Sequence, residues 1–216
     1  MSRKPRVLSK RTMPQHVRAL AAQCEFMARA FETGGMPPAR NREGGFRTLL
    51  RIIVDQQISV QAGAAIWAKL EARLGDVSAE RVMAVRRPTL QKCGLSGQKV
   101  RYARELAGAI KSGSLDLDGL AKLDDTTAAA ELTAIKGIGT WTAEIYLMFA
   151  MGRPDIMPAG DLALQVAAQN LLGLNDRPTD KALRAIAERW QPYRTTAAIM
   201  LWQFYRKMPL MEKSDD

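Results

Sequence analysis

Cysteine and histidine are scarce in this sequence, and their scarcity excludes several kinds of site. Cys24 and Cys93 are the only cysteines and lie far apart, so the chain alone builds neither a disulfide framework nor a four-cysteine iron–sulfur cluster. His16 is the only histidine, which excludes mechanisms that need a histidine pair, and we predict that it lies on a helix surface. No apolar run approaches the ~20 residues of a membrane span, so we expect no membrane partner.

Basic residues are in excess, with 32 Lys and Arg against 22 Asp and Glu and a formal net charge of +10. Because they are spread along the 216 residues, they favour a polyanionic partner, with nucleic acid as the first candidate. A generally basic enzyme without such a partner is the alternative. The hydrophobic content of 47% is that of a folded protein with a core.

Hydrophobic residues recur at helical spacing and strand-like alternation is nearly absent, so the predicted fold is all-α. Residues 1–12 predict a flexible basic arm, residues 13–210 a single domain of two helical lobes, and residues 211–216 a polar tail. One helix is expected from Pro14 to Phe31, before the breaker TGGMPPARN that joins the lobes.

Further along, FRTLLRIIVD and VQAGAAIWAKLEARLG predict two helices separated by the polar sequence QQIS. Ser78 and Ser96 are predicted N-caps, and Thr126 or Thr127 is expected to begin the helix that precedes the sequence KGIG. Trp67 and Trp190 are predicted core residues.

The segment LTAIKGIGTWTA, residues 132–143, predicts two helices joined by a tight turn at Gly137 and Gly139. At the start of the second helix, amides without helical partners and the helix dipole attract a phosphate, and glycines let the backbone approach it closely. An ordinary helix–helix turn also uses such glycines, so on the glycines alone that alternative stays open.

Several motifs together resemble one family. LTAIKGIGTWTA resembles the helix-hairpin-helix motif of base-excision-repair DNA glycosylases, and GRPDIMPAGD, ending at Asp161, resembles their downstream loop with its catalytic aspartate. LLRIIVDQQIS, GLSGQKVRYARELA and ERWQPYRTTAAIMLW extend the similarity and look most like the 3-methyladenine DNA glycosylase II type. The resemblance implies an all-α, two-lobed HhH-GPD fold with the active-site cleft between the lobes.

Asp161 is the catalytic residue that the resemblance implies. Its carboxylate would stabilise the oxocarbenium-like sugar and orient or deprotonate water. An N-cap for the helix DLALQVAAQNLL is its structural alternative, and both roles are compatible. Bifunctional relatives carry a lysine nucleophile two residues after the second hairpin glycine, where this chain has Trp141, so no lyase activity is expected.

Trp141, Trp202 and Tyr193 match positions that line the base pocket in this branch, Tyr193 more weakly. Stacking on electron-rich rings selects a cationic methylated purine. Core packing is the alternative for each tryptophan. At Ile145 and Leu162 the matching enzyme of this branch has tyrosines. The base pocket of this chain is therefore expected to contain fewer aromatic rings.

The resemblance also implies residues that contact DNA. They are Lys136, Gly137, Ile138, Gly139 and Thr140 in the hairpin, and Gln56, Gln57, Ile58 and Ser59 in the QQIS interruption. Lys99 and Arg101, on a basic helix, are expected to add phosphate contacts. Gln57 is the expected plug for the gap that the flipped nucleotide leaves. The alternative for Lys136 is a solvated lysine. For Gln57 it is a polar corner between two helices, and for Lys99 and Arg101 it is a solvated helix face.

No cofactor is expected to be required, and no iron–sulfur cluster is expected. Main-chain carbonyls of Thr133, Ile135 and Ile138 match those that hold a structural Na⁺ or K⁺ in relatives. The implied function is excision of 3-methyladenine and 7-methylguanine from double-stranded DNA by a monomer, in a bacterial cytoplasm at the nucleoid or in a eukaryotic nucleus. A glycosylase for uracil, mismatched thymine or another lesion, and a non-catalytic binder of damaged DNA, are the alternatives.

Overall fold

The computed structural model describes residues 7–38 and 42–208, and within these ranges every regular element is helical. In chain order the helices are α1 (Met13–Gln23), α2 (Glu25–Gly34), α3 (Phe46–Asp55), α4 (Val60–Leu74), α5 (Ala79–Ala84), α6 (Arg87–Lys92), α7 (Gly97–Ser112), α8 (Asp125–Thr133), α9 (Thr140–Phe149), α10 (Leu162–Leu172), α11 (Asp180–Ala187) and α12 (Arg194–Lys207). Two short 3-10 helices span Gly119–Lys122 and Glu188–Trp190. The all-α prediction is confirmed.

The chain divides into two compact units. The central unit is Arg42–Met151 and holds α3 to α9. The terminal unit combines Met1–Asn41 with Gly152–Asp216 and, in its described residues, holds α1, α2 and α10 to α12. No helix in the described ranges has the length and hydrophobicity that crossing a membrane requires.

The central unit is built around α9, in which every residue from Thr142 to Phe149 is buried. Such a mostly apolar helix needs neighbours on nearly all sides. The start of α3 is tied to α9, because the Gly45 amide donates to Tyr146 Oη at 2.8 Å. Burial raises the pKa of Tyr146, as expected of a neutral, structural phenol.

Polar side chains begin several helices of the central unit. Ser78 and Ser96 are N-caps as predicted, accepting from the amides of Arg81 and Lys99 at 3.4 and 3.2 Å. Asp124 caps α8, so the prediction that Thr126 or Thr127 begins this helix is wrong. The Asp124 carboxylate accepts both threonine amides at 2.9 Å, and these bonds, that from Thr127 first, lower its pKa.

The two predicted core tryptophans are confirmed, since Trp67 is 7% and Trp190 0% exposed. The guanidinium groups of Arg47 and Arg51 lie 5.3 and 5.2 Å from the centre of the Trp67 ring. In the terminal unit, Trp190 follows α11, and every residue of α12 from Thr195 to Leu201 is buried.

The predicted helix from Pro14 to Phe31 is interrupted at Cys24, whose backbone is extended with φ −146° and ψ 116°. Cys24 ends α1 and precedes α2, and no glycine or proline marks the break. In the described part of the predicted arm, residues 7–12, Leu8 is 3% exposed and its amide donates to Gly152 O at 2.8 Å. Residues 1–6 of the arm and the predicted tail lie outside the described residues.

His16 is 5% exposed, so the prediction of a surface position is wrong. It lies on the buried stripe of α1 with Met13, Val17 and Leu20. Its ring centre is 4.9 Å from that of Tyr193. His16 is spaced from Met13, Val17 and Leu20 at helical intervals, and this spacing could have indicated that it is buried. Burial lowers the pKa of His16.

The lowered pKa predicts a pH dependence of stability. Above the unfolded pKa of about 6.5 the imidazole is neutral in both states. Below it the unfolded chain binds the proton first, so the free energy of unfolding should fall as the pH drops towards the folded pKa. Urea midpoints of the wild type should therefore fall more steeply between about pH 7 and pH 5 than those of His16→Gln. Parallel curves would contradict this prediction, and no second histidine complicates the subtraction.

Candidate active site

The helix-hairpin-helix segment adopts the predicted form, with α8 and α9 joined by residues 134–139. Ile138 is 3% exposed and anchors the turn, while Lys136, Gly139 and Thr140 are exposed. The amino-terminal end of α9 lies at this turn, so the positive end of its helix dipole favours an anion there.

The two hairpin glycines have different physical roles. Gly137 has φ +100°, and a Cβ added there would overlap the Cβ, Cγ and Cδ1 atoms of Tyr102 on α7. Gly139 has φ −85°, and a Cβ added there would meet nothing within 4 Å. Gly137 is therefore needed for packing, whereas the space beside Gly139 would accommodate a Cβ.

Residues 56–59, which we call the plug loop, join α3 to α4. Gln57 is exposed and has φ +55°, a conformation that is uncommon outside glycine. Ile58 is 36% exposed, and Ser59 caps α4 by accepting from the Ala62 amide at 3.2 Å. An exposed amide and an exposed apolar side chain therefore lie side by side in this loop.

Gln56 faces the hairpin rather than the solvent. Its Nε2 donates to the Gly137 carbonyl at 3.1 Å and to Thr142 Oγ1 at 2.8 Å. The sequence placed Gln56 with the DNA-binding residues, and the structure brings it together with the hairpin. Its amide group is half-buried and already engaged.

Lys99 also faces inward. Its Nζ donates to the carbonyls of Val54 and Gln56, both at 2.7 Å. Burial lowers the pKa of Lys99, and the nearby Asp55 carboxylate raises it in part. Two of the three ammonium donors are engaged at the end of α3, which differs from the predicted phosphate contact. Arg101, on the same helix, is exposed, and its DNA contact stays a prediction.

In the terminal unit, the loop before Asp161 is anchored to the start of α12. Thr195 Oγ1 donates to Arg153 O at 2.7 Å and accepts from the Ile156 amide at 3.0 Å. The Arg194 guanidinium binds both carboxylate oxygens of Asp155, at 2.9 and 3.0 Å. This bidentate geometry fixes the loop strongly. Sequence reasoning missed both anchors, because their partners lie 39 to 42 positions away.

Asp161 is the N-cap of α10, which confirms its predicted structural role. Its Oδ1 accepts from the Leu164 amide and from Trp202 Nε1, each at 3.1 Å. The carboxylate and one predicted base-pocket tryptophan are thus in direct contact. Asp161 is half-buried, between a helix start and an indole.

The other base-pocket residues are distributed between the two units. Trp141 lies in the first turn of α9 and is half-buried. Tyr193 precedes α12, and its ring contacts His16. Leu162, directly after Asp161, is 57% exposed, whereas Ile145 is 6% exposed in the core of the central unit.

The predicted cation ligands are backbone carbonyls of the end of α8 and the hairpin turn, at Thr133, Ile135 and Ile138. Backbone carbonyl oxygens can replace the hydration shell of a monovalent cation such as K⁺. The Ile135 carbonyl also accepts from the Ile138 amide at 3.0 Å, and a carbonyl has a second lone pair for an ion.

This geometry agrees with comparisons with known proteins. Residues 50–192 match the family described as HhH-GPD superfamily base excision DNA repair protein. The chain belongs to the HhH-GPD superfamily. The predicted family and its 3-methyladenine DNA glycosylase type are confirmed.

Among curated HhH-GPD relatives, DNA-3-methyladenine glycosylase 1 of Schizosaccharomyces pombe is 30% identical, over 79% of this chain and 77% of its own. The YfjP protein of Bacillus subtilis is 26% identical over 73% of this chain, and the match spans 58% of that protein. The chain thus spans less than two thirds of the YfjP protein.

Two solved structures show the same fold. The DNA-3-methyladenine glycosidase of Bacillus halodurans has a TM-score of 0.78 and 34% identity, covering 88% of both chains. The 3-methyladenine DNA glycosylase Mag1 of Schizosaccharomyces pombe, in complex with abasic DNA, has a TM-score of 0.78 and 28% identity, covering 88% of this chain and 95% of its own.

The contrast between the two hairpin glycines is testable. Gly137→Ala adds strain at φ +100° and a clash with Tyr102, so it should lower the free energy of unfolding by about 3 kcal/mol. Gly139→Ala meets open space, so its cost should be about 1 kcal/mol or less. Urea denaturation of both variants measures the difference. Equal destabilisation would contradict the roles assigned to the two glycines.

Proposed function

We propose that the protein is a monofunctional DNA glycosylase that hydrolyses the N-glycosidic bond of alkylated purines, 3-methyladenine and 7-methylguanine, in base excision repair. The observation that carries this proposal is the Asp161 carboxylate, fixed by the Leu164 amide and by Trp202 Nε1. A carboxylate held in place stabilises positive charge as it develops at C1′ of the sugar and orients an attacking water.

An alkylated purine suits a site whose proposed groups are one carboxylate and aromatic rings, without a strong general acid. Methylation at N3 or N7 makes the purine a cationic leaving group, so bond cleavage needs no strong general acid. The indole of Trp202 offers a π-face for stacking such a base, and Trp141 offers a second. Trp141 also occupies the place of the lysine nucleophile, so no Schiff base forms at that position and the strand stays intact.

Double-stranded DNA is the proposed partner. The exposed hairpin residues Lys136, Gly139 and Thr140 would meet a phosphate at the start of α9, where amide donors and the helix dipole favour an anion. Arg101 and the net charge of +10 add attraction that does not depend on sequence. A fold neighbour solved with abasic DNA supports this partner.

Three further points belong to the same proposal. The carbonyls of Thr133, Ile135 and Ile138 would hold a structural Na⁺ or K⁺, with no part in the chemistry. The protein would act as a monomer. Its place would be at the DNA, in a bacterial nucleoid or in a nucleus.

A panel of lesion-containing duplexes tests the substrate class. We expect release of free 3-methyladenine and 7-methylguanine, with strand breaks appearing only after alkali treatment. Strand cleavage without alkali would contradict the monofunctional assignment. Release of uracil or mismatched thymine instead would move the protein to another lesion class, and damage-selective binding without any release would make it a non-catalytic binder.

The role of Asp161 is tested by Asp161→Asn. Asparagine is also a good N-cap and still accepts from Trp202, so the fold and DNA affinity should be kept. Excision should fall about 100-fold or more, because the negative charge is lost. Asp124→Asn is the matched control, since Asp124 caps α8 in the same way. Full excision by Asp161→Asn in single-turnover assays would overturn the catalytic assignment.

A further inference from the structure

Three elements of the central unit contact one another pairwise: the plug loop, the hairpin and α7. We propose that Gln56 and Lys99 are positioning residues, which hold the plug Gln57 in a fixed register to the phosphate-binding hairpin. Gripping the DNA backbone and filling the gap in the duplex would then be one coupled event. This inference rests on the proposed function, because it takes Gln57 as the plug.

The first contact runs from the plug loop to the hairpin. The single amide nitrogen of Gln56 donates both to the turn, at Gly137 O, and to α9, at Thr142 Oγ1. Thr142 is 2% exposed, so its hydroxyl has little access to water. Removing the donor would leave the Gly137 carbonyl without this bond, and would leave the buried Thr142 hydroxyl as a poorly hydrated acceptor in α9.

The second contact runs from α7 to the plug loop. The Lys99 ammonium bonds the carbonyls of Val54 and Gln56, on either side of Asp55. These carbonyls lie at the C-terminal end of α3, where the helix dipole favours a cation. The Asp55 carboxylate also attracts the Lys99 ammonium, and Asp55 is ion-paired with Arg51, whose Nε lies 2.9 Å from Asp55 Oδ2.

The third contact runs from α7 to the hairpin. Tyr102 lies three positions after Lys99, so the two side chains share a face of α7. The Tyr102 ring occupies the space beside Gly137 that a side chain would otherwise take. With this contact each of the three elements touches the other two.

Gln56 is held at both of its ends as a result. Lys99 binds its carbonyl, and the hairpin binds its side chain. The next residue, Gln57, has φ +55°. A glutamine in this conformation costs about 1 kcal/mol or more and persists only where its surroundings impose it. The restraints on Gln56 impose it and thereby set the direction in which the exposed Gln57 leaves the loop.

The test uses a duplex with a tetrahydrofuran abasic site opposite 2-aminopurine. Entry of the plug next to 2-aminopurine changes its fluorescence, and anisotropy with an undamaged duplex measures the backbone grip alone. The variants are Gln56→Met and Thr142→Val, which keep volume and remove one partner of the bond, and Lys99→Met. Controls are Gln91→Met and Lys111→Met, both at exposed positions.

We expect Gln56→Met and Lys99→Met to lose about tenfold in preference for the abasic duplex, with the plug signal reduced and undamaged-duplex affinity near that of the wild type. The controls should match the wild type. Gln56→Met combined with Thr142→Val should be no worse than Gln56→Met alone, because Gln56→Met already lacks the bond that Thr142→Val removes.

Several results would overturn the inference. A wild-type plug signal and abasic preference in Gln56→Met and Lys99→Met, even with lowered stability, would make the two residues merely structural. Equal losses in Lys111→Met would assign the effect to charge alone. The duplex carries no damaged base at the abasic site, so the measurement does not depend on excision. A protein that fails to release alkylated purines would still give a plug signal that can be measured. A plug signal that survives Gln57→Ala would refute Gln57 as the plug.

Discussion

The lack of a side chain at Gly137 is the constraint on which the central unit depends. Because no Cβ stands there, the Tyr102 ring lies directly against the turn, and α7 approaches the hairpin closely. The same helix then brings Lys99 within 2.7 Å of two carbonyls at the end of α3. One missing side chain thus allows a hairpin, a loop and a helix to share a small volume.

The terminal unit positions a single carboxylate by a different physical means. Its loop is held by charge and hydroxyl contacts from the start of α12, through Arg194 and Thr195. Asp161 then accepts from the Leu164 amide at the start of α10, where a negative charge is favourable. Rigid helices supply the anchors, and the short loop between them sets the position of the acid.

The sequence predicted what depends on local rules. Helical periodicity and serine caps gave most helices, and Asp161 was predicted to cap its helix, because each signal lies within a few residues of its effect. The break at Cys24 carries no such signal. Asp124 displaced the predicted threonine start because a carboxylate accepts two amides at once.

The inward direction of Lys99 and Gln56 was not predictable, since their partners lie 43 to 86 positions away. From the sequence alone, a basic residue on an amphipathic helix is interpreted either as solvated or as a contact to phosphate. Only the folded chain shows that the end of α3, with its carbonyls, lies within reach. The charge composition therefore predicted a polyanionic partner, but it could not predict which basic side chains are available to contact that partner.

Trp202 links recognition to chemistry in the proposed reaction. An indole donates through its ring edge and stacks through its face, and these two directions do not compete. Here the edge donates to Asp161, so the face of the same ring is fixed relative to the acid. A base that stacks on Trp202 is therefore positioned by the group that also orients the carboxylate. In the proposed reaction the hairpin would bind phosphates, which are the same at every nucleotide, so discrimination between bases would arise where the Trp202 ring and the Asp161 carboxylate meet.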